Sequence, residues 1–453
     1  MIVKPQKSLR WAVVGGGMLG LTLAHRMSGQ GHHVTLIEAG ETLGGLTSVW
    51  ELGNVTWEKH YHVILLSDSR LRNLLQEIQL DDQLKWVETK TGFFTDGQMY
   101  SMSDTKEFLG FPPLKFIEKI RLGGTIFYAS KIRNWKRLEK IPVTKWLKRW
   151  SGKGTFEKIW MPLLRAKLGE AYKVTSASFI WAAINRMYKA RRSGLKKEMF
   201  GYVQGGYRTI IQRMASILME RNVPVLTGHG ITRVQRNQSG KFTIEFANQP
   251  PQEFDRVIMT TPSTVIQKAC VDLNQDERDR LGSTQYLGIV NASMLVDKPV
   301  SPYYVTNITD DWVPMTAVIE MSNIVDLEET DQKSLIYLPK YVPSGDPLFE
   351  KSDDEIRESF LAAMEKMHPE FSRDDVSAFR IARARNVMAI PTLEYSESLP
   401  EQASSVPGLY LVNSAYITKG NLNVNETIQI AEDAMNGCLR AELATARVGV
   451  TSH

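Results

Sequence analysis

The segment "WAVVGGGMLG", Trp11 to Gly20, constrains the fold of this chain more than any other stretch. An apolar run stops on three consecutive glycines, with a fourth three residues later. Trp11 to Val14 reads as a short buried strand, Leu19 to Ser28 as a helix, and Val34 to Ile37 as a second strand ending at Glu38. Gly15, Gly17 and Gly20, with Gly16 between the first two, form the pattern G-x-G-x-x-G at the turn from strand to helix. The first glycine permits the tight turn, the second lets backbone approach a pyrophosphate, and the third lets helix pack closely on strand. The helix N-terminus then presents N–H groups and partial positive charge to the phosphates. Glu38, eighteen residues beyond Gly20, can accept hydrogen bonds from ribose hydroxyls and would repel a 2'-phosphate, which argues against NADP. The unit predicts dinucleotide binding and leaves FAD or NAD open.

Later segments narrow the choice. "GETLGGLTS", residues 40–48, sets the doublet Gly44-Gly45 just after the acidic strand end. It resembles the second shared stretch of the FAD-dependent amine oxidase, protoporphyrinogen oxidase and phytoene desaturase superfamily. There the doublet passes the FAD diphosphate and ribityl. The basic residues usual on either side of it are Leu43 and Leu46 here. "MERNVPVLTGHGITRV" (219–234) and "FDRVIMTTPSTVI" (254–266) are similar to that superfamily's return to its FAD domain. The resemblance implies Ile231 near the adenine and a strand ending at Thr260, Thr261 and Pro262 beside the cofactor. "GLYLVNSAYITKGNLNVNETIQIAEDAMNGCL" (408–439) resembles the closing FAD motif: a buried strand, a loop, then a helix aimed at the flavin. Many relatives have Gly-Asp or Gly-Glu after that strand, where this chain has Asn413-Ser414; Asn425 opens the helix.

The implied fold is α/β, a Rossmann-like FAD-binding domain of the glutathione reductase type with an inserted α+β substrate domain. The FAD domain is discontinuous, drawn from residues 8–65, 200–265 and 405–445, and the substrate domain from 66–199 and 266–404. Residues 66–199 read as mostly helical, with helical apolar spacing in "LRNLLQEIQL" and "FEKIWMPLLRAKLG". Residues 286–338 carry strand-like runs such as "YLGIVNASMLV", which predict an antiparallel wall for a pocket. No second G-x-G-x-x-G unit follows, so electrons are expected to come from an organic substrate rather than from bound NAD(P)H.

Candidate chemical residues lie in "WEKHYHVI", where His60 and His62 would share one side of an extended segment. One of them could orient substrate or shuttle a proton near neutral pH, or both could bond to backbone or to the FAD phosphates. Arg385, Tyr337 and Tyr341 are further pocket candidates, and no metal constellation is seen. Residues 108–150 mix many Lys and Arg with Phe, Tyr and Trp. They form either an element at a membrane interface or a solvated helical surface with aromatics turned inward. A net charge of only +5 and no recognised module argue against nucleic acid as a partner. Two distant cysteines and no leader-like apolar core at the N-terminus fit a reducing cytoplasm, with any membrane contact peripheral. The resemblance implies an FAD-dependent oxidoreductase taking hydride from an apolar or amphipathic small molecule. A flavin-dependent sugar-nucleotide mutase similar to UDP-galactopyranose mutase, or a non-catalytic flavoprotein, are the alternatives.

Overall fold

In the computed structural model, which describes residues 9–190 and 199–447, strand β1 (Arg10–Val14) lies at the centre of a five-stranded parallel sheet. Residues 1–8, read above for a leader, and 191–198, within the segment read as helical, lie outside the described residues. The sheet runs Val225–Leu226, β2 (His33–Ile37), β1, Arg256–Met259 and Leu409–Leu411. All four pairings are parallel, with Trp11 opposite both Val34 and Arg256. Its strands are short and apolar because both faces are covered. On one face lie α1 (Met18–Gly29) and the helices Gly206–Glu220 and Val424–Asn436, sharing a core that includes Leu21, Leu23, Ile210, Met214 and Ile428. On the other, Ala12, Val14 and Met259 pack on an antiparallel ribbon of Ile231–Arg236, Phe242–Phe246 and Gln252–Phe254.

A seven-stranded sheet stands beside this layer, in the order Val376–Ala389, Tyr286–Val296, Ser334–Pro343, Ala317–Glu320, Val305–Ile308, Thr91–Thr95 and Gln98–Ser101. Tyr286–Val296 is buried along its whole length, as a central strand covered on both sides must be. The helix Asp353–Met367 covers one face of the sheet. Helices Phe116–Lys131, Val143–Ser151, Met161–Leu168 and Ala177–Ala190 share a core with its opposite side, where Leu287, Ile289 and Met388 meet Leu122, Leu147 and Phe179.

Residues 66–199 are mainly helical, as their apolar spacing implies, and the strands Thr91–Thr95 and Gln98–Ser101 within them complete the edge of the substrate sheet. Their connection is Asp96-Gly97, both at positive φ (53° and 69°), the geometry of a tight hairpin matched to strand twist. The helix Ser69–Glu77, read as the start of the substrate half, packs Leu71, Leu74 and Leu75 into the core of α1 instead. Its apolar positions at i, i+3 and i+4 form one stripe, and that stripe faces the parallel-sheet layer. Among the described residues no helix is long and apolar enough to cross a membrane.

Candidate functional site

At the C-terminal end of β1 the chain turns so tightly that side chains are excluded. A Cβ on Gly20 would sit 1.8 Å from the carbonyl oxygen of Gly15, and one on Gly15 would sit 2.3 Å from Thr260 Oγ1. No side chain caps α1 and no acid stands in its first turn, which keeps its positive end open to an anion. Glu38, at the end of β2, accepts from Gly16 N–H at 2.6 Å and from Gly40 N–H at 2.7 Å. Gly44 donates its N–H to the carbonyl of Gly16 at 2.9 Å and forms an isolated parallel bridge with Gly17. Gly15, Gly16, Gly17, Gly20, Glu38, Gly44 and Gly45 therefore come together as one cradle of backbone with a single carboxylate at its rim.

Of the remaining sequence-predicted groups, Ile231 and Thr261 follow segments bonded to the cradle, whereas Asn413, Ser414 and Asn425 are engaged elsewhere. Gly228 and His229 donate backbone N–H groups to the carbonyls of Gly40 and Glu38, both at 2.9 Å, which brings the half-buried Ile231 to the Glu38 side of the cradle. Thr260 bonds the carbonyl of Val14 through its hydroxyl at 2.8 Å, and the buried hydroxyl of Thr261 has no partner. Asn413 is fully buried. Its amide donates to the Thr261 carbonyl at 3.0 Å, while its oxygen accepts from Ala415 N–H at 2.9 Å. Asn413 thus ties the ends of two adjacent strands together and has little left for a ligand. Ser414, next in the chain, lines a small cavity with Phe179, Met388, Pro391, Ile417 and Leu422. Asn425 does something different from what its position implies. Its side-chain oxygen accepts from the N–H groups of Arg70 (2.8 Å) and Leu71 (3.3 Å), capping the helix Ser69–Glu77 from outside.

His60 and His62 lie beyond the strand Val55–Glu58, in an irregular stretch, so the argument that an extended segment puts them on one side does not apply. The ring of His62 packs on Tyr207 with centroids 5.1 Å apart. The Nδ1 atoms of both histidines are buried without a partner. Burial lowers His60 to about 3, helped by His62 and Lys59, and His62 to about 4. The expected titration near neutral pH is corrected: both rings are neutral there, because neither has a carboxylate to repay desolvation. Arg385 is an exposed residue, paired with Glu350 and with the Ser344 carbonyl.

Between the histidines stands Tyr61, which together with Lys167 joins the predicted pocket candidates Tyr337 and Tyr341 in one buried group. The hydroxyl of Tyr61 bonds that of Tyr341 at 2.9 Å, and Lys167 Nζ lies 3.2 Å from the centre of the Tyr341 ring. Burial brings Lys167 down to about 7. Beneath them Tyr337 donates to the Glu58 carbonyl oxygen at 2.7 Å, and the buried Glu58 carboxylate, itself raised to about 7, accepts from Tyr207 N–H at 2.5 Å. Tyr337 and Tyr341 were visible as aromatic positions on a strand. Lys167 carried no signal, since in "FEKIWMPLLRAKLG" it reads as one more polar-face lysine.

The residues present fit FAD on three observations: a cradle that added Cβ atoms would fill, a carboxylate at its rim, and orphaned buried polar atoms on His60, His62, Thr261 and Asn421. Among the described residues no cluster of three His, Cys, Asp or Glu side chains could hold a metal.

Residues 19–428 match the family model described as flavin containing amine oxidoreductase. A 15-cis-phytoene desaturase of Narcissus pseudonarcissus is 33% identical over 86 residues, which cover 19% of this chain and only 15% of that relative's length. The 15-cis-phytoene desaturase of Synechococcus elongatus is 20% identical across 97% of this chain and 96% of its own. A structure from Exiguobacterium sp. 255-15, described as a protoporphyrinogen oxidase, superposes with a TM-score of 0.75 at 19% identity, over 98% of this chain and 99% of that one. At that identity the likeness speaks for the fold.

Proposed function

This chain belongs to the flavin containing amine oxidoreductase family and is an FAD-dependent oxidoreductase, and from that premise we propose that it removes hydride from an apolar or amphipathic organic substrate. The observation that carries this reading is the match of residues 19–428 to the flavin containing amine oxidoreductase family. Beside Ser414 and Asn421, the uncharged side chains of Phe179, Met388, Pro391, Ile417 and Leu422 line a cavity of about 10 Å³, room for a water rather than a substrate, so they support an apolar wall and nothing larger. The matched desaturases' names agree with an apolar substrate.

FAD bound in the cradle would supply an acceptor for two electrons. In this reading residues 8–65, 200–265 and 405–445 would hold it, Gly15–Gly17 and α1 through the diphosphate, Glu38 through the ribose and Ile231 through the adenine. Thr261, Asn413 and Ser414 border the flavin end, with Asn413 acting by holding the loop in place. His60 and His62, both neutral, serve as uncharged hydrogen-bonding walls. Lys167, poised near neutrality beside Tyr341, takes up the proton that leaves the substrate together with the hydride. Residues of 66–199 and 266–404 shape access and exclude water, which favours hydride transfer over side reactions.

The test is anaerobic mixing of the FAD-loaded chain with panels of apolar and of charged small molecules, following flavin bleaching at about 450 nm. Bleaching by apolar compounds alone is the expected result. Bleaching confined to charged, sugar-like compounds would remove the proposal.

A further inference from the structure

The helix Phe116–Lys131 turns the wrong side to solvent. Its inward positions are Lys119, Leu122, Thr125 and Ala129, whereas Phe116, Ile117, Ile120, Phe127 and Tyr128 are 70%, 61%, 52%, 57% and 40% exposed. At 100° per residue these five occupy an arc of about 120°, with Phe116, Ile120 and Phe127 inside about 40°. Leu109 is 50% exposed on the neighbouring Thr105–Gly110 helix, and its carbonyl accepts from Lys119 Nζ at 2.7 Å, which fastens the two helices together. Six of the twelve large apolar side chains left exposed among the described residues fall between 109 and 128. Such clustering marks a surface that is covered by something apolar.

The charges around the arc say what covers it. Arg121 and Lys131 are exposed on the same helix, and the Lys131 ammonium lies 5.2 Å from the Phe127 ring centre. Arg133, Lys136, Arg137 and Lys145 follow, all exposed, and among the described residues none has a carboxylate within ion-pair distance. The helix's only acid, Glu118, is already neutralised by Lys158 at 2.9 Å. A second copy packed on this arc would bring two cationic rims together. An anionic lipid surface meets both features at once, with apolar side chains below the phosphates and cations among them.

We propose that the helix Phe116–Lys131 lies in the headgroup plane of an anionic bilayer, with Phe116, Ile120 and Phe127 immersed. The claim stands on residues 109–145 and is independent of what the flavin site oxidises.

The FAD-loaded full chain is floated with phosphatidylcholine vesicles and with vesicles containing about a third phosphatidylglycerol. The wild type rises with the anionic vesicles and is released by high salt. The triple variant Phe116→Ser/Ile120→Ser/Phe127→Ser partitions at least about tenfold more weakly. Arg133→Gln/Lys136→Gln/Arg137→Gln loses the preference for anionic lipid. Unchanged flavin absorbance and melting temperature show that both variants are folded. The proposal falls if the wild type stays in the aqueous fraction, if it floats equally with both vesicle types, or if the triple variant floats as the wild type does. It falls equally if light scattering finds a dimer that the triple variant dissolves while vesicles bind neither protein, since the arc is then a contact between copies.

Discussion

Gly44 donates its backbone N–H to the carbonyl oxygen of Gly16 at 2.9 Å, and through this bond two glycine-rich turns become one surface. Gly44 adopts φ +115°, and a Cβ there would come within 2.7 Å of Ile211 Cδ1. Gly44→Ala therefore strains the backbone and pushes on the helix behind it. Gly20→Ala is worse, since α1 must lift from β1 to clear the Gly15 carbonyl. Both variants are expected to lose FAD on desalting, Gly20→Ala completely, as read from flavin absorbance per chain.

Asn425 and Glu38 were both candidates for cofactor contact, and their partners separate them. Asn425→Ala removes the cap of the helix Ser69–Glu77, with an expected cost of about 1 kcal/mol in urea unfolding and an unchanged flavin content. Glu38→Ala leaves Gly16 and Gly40 N–H groups without their acceptor and takes away the ribose partner. Its signature is FAD affinity lowered by a factor of ten or more, by about 1.5–3 kcal/mol on the scale of one charged hydrogen bond.

Glu58 is buried, and its carboxyl is raised to about 7 by desolvation. Between its ordinary value near 4.5 and 7 the folded chain binds a proton that the unfolded chain has lost, so stability falls as pH rises through that window. Glu58→Gln keeps an acceptor for Tyr207 N–H and cannot ionise. Its melting temperature should match the wild type at pH 5 and exceed it at pH 8; equal differences at both pH values would contradict burial of the carboxyl.

Lys167 has the opposite sign. Its ammonium is lowered from 10.5 to about 7, so across that interval the unfolded chain binds the extra proton and stability rises with pH. Lys167→Met is expected to stabilise most below pH 7 and least near pH 10. The wild-type turnover should rise through about pH 7 as Lys167 becomes able to accept a proton, and the variant should lose that limb.

The Tyr61–Tyr341 bond joins the two halves of the chain and can be isolated by a double-mutant cycle. Tyr61→Phe and Tyr341→Phe are each expected to cost about 1 kcal/mol, and the double variant little more than either single one. Additive effects would show that the hydroxyls act separately.

What the sequence made legible was local. The turn at Gly15–Gly20 and the acid at Glu38 sit within one βαβ unit, where chain geometry alone brings them together. The Asp96-Gly97 hairpin is equally local, but it sits inside a segment whose apolar spacing is otherwise helical. Tyr61 and Tyr341 stand 280 residues apart, and only the pairing of Ser334–Pro343 within the substrate sheet brings them into contact. No spacing rule reaches that far. The neutrality of His60 and His62 was hidden for the same reason, since it follows from desolvation of their rings by residues distant in sequence.

The central claim is that Gly15–Gly20, Glu38, Gly44-Gly45 and the Thr261–Asn413 junction assemble one FAD site. Its most direct measurement is equilibrium titration of FAD into the flavin-depleted chain, with absorbance and protein fluorescence read together. Saturation at equimolar FAD, abolished in Gly20→Ala, is the predicted result; a colourless chain that takes up no FAD at any ratio would contradict it.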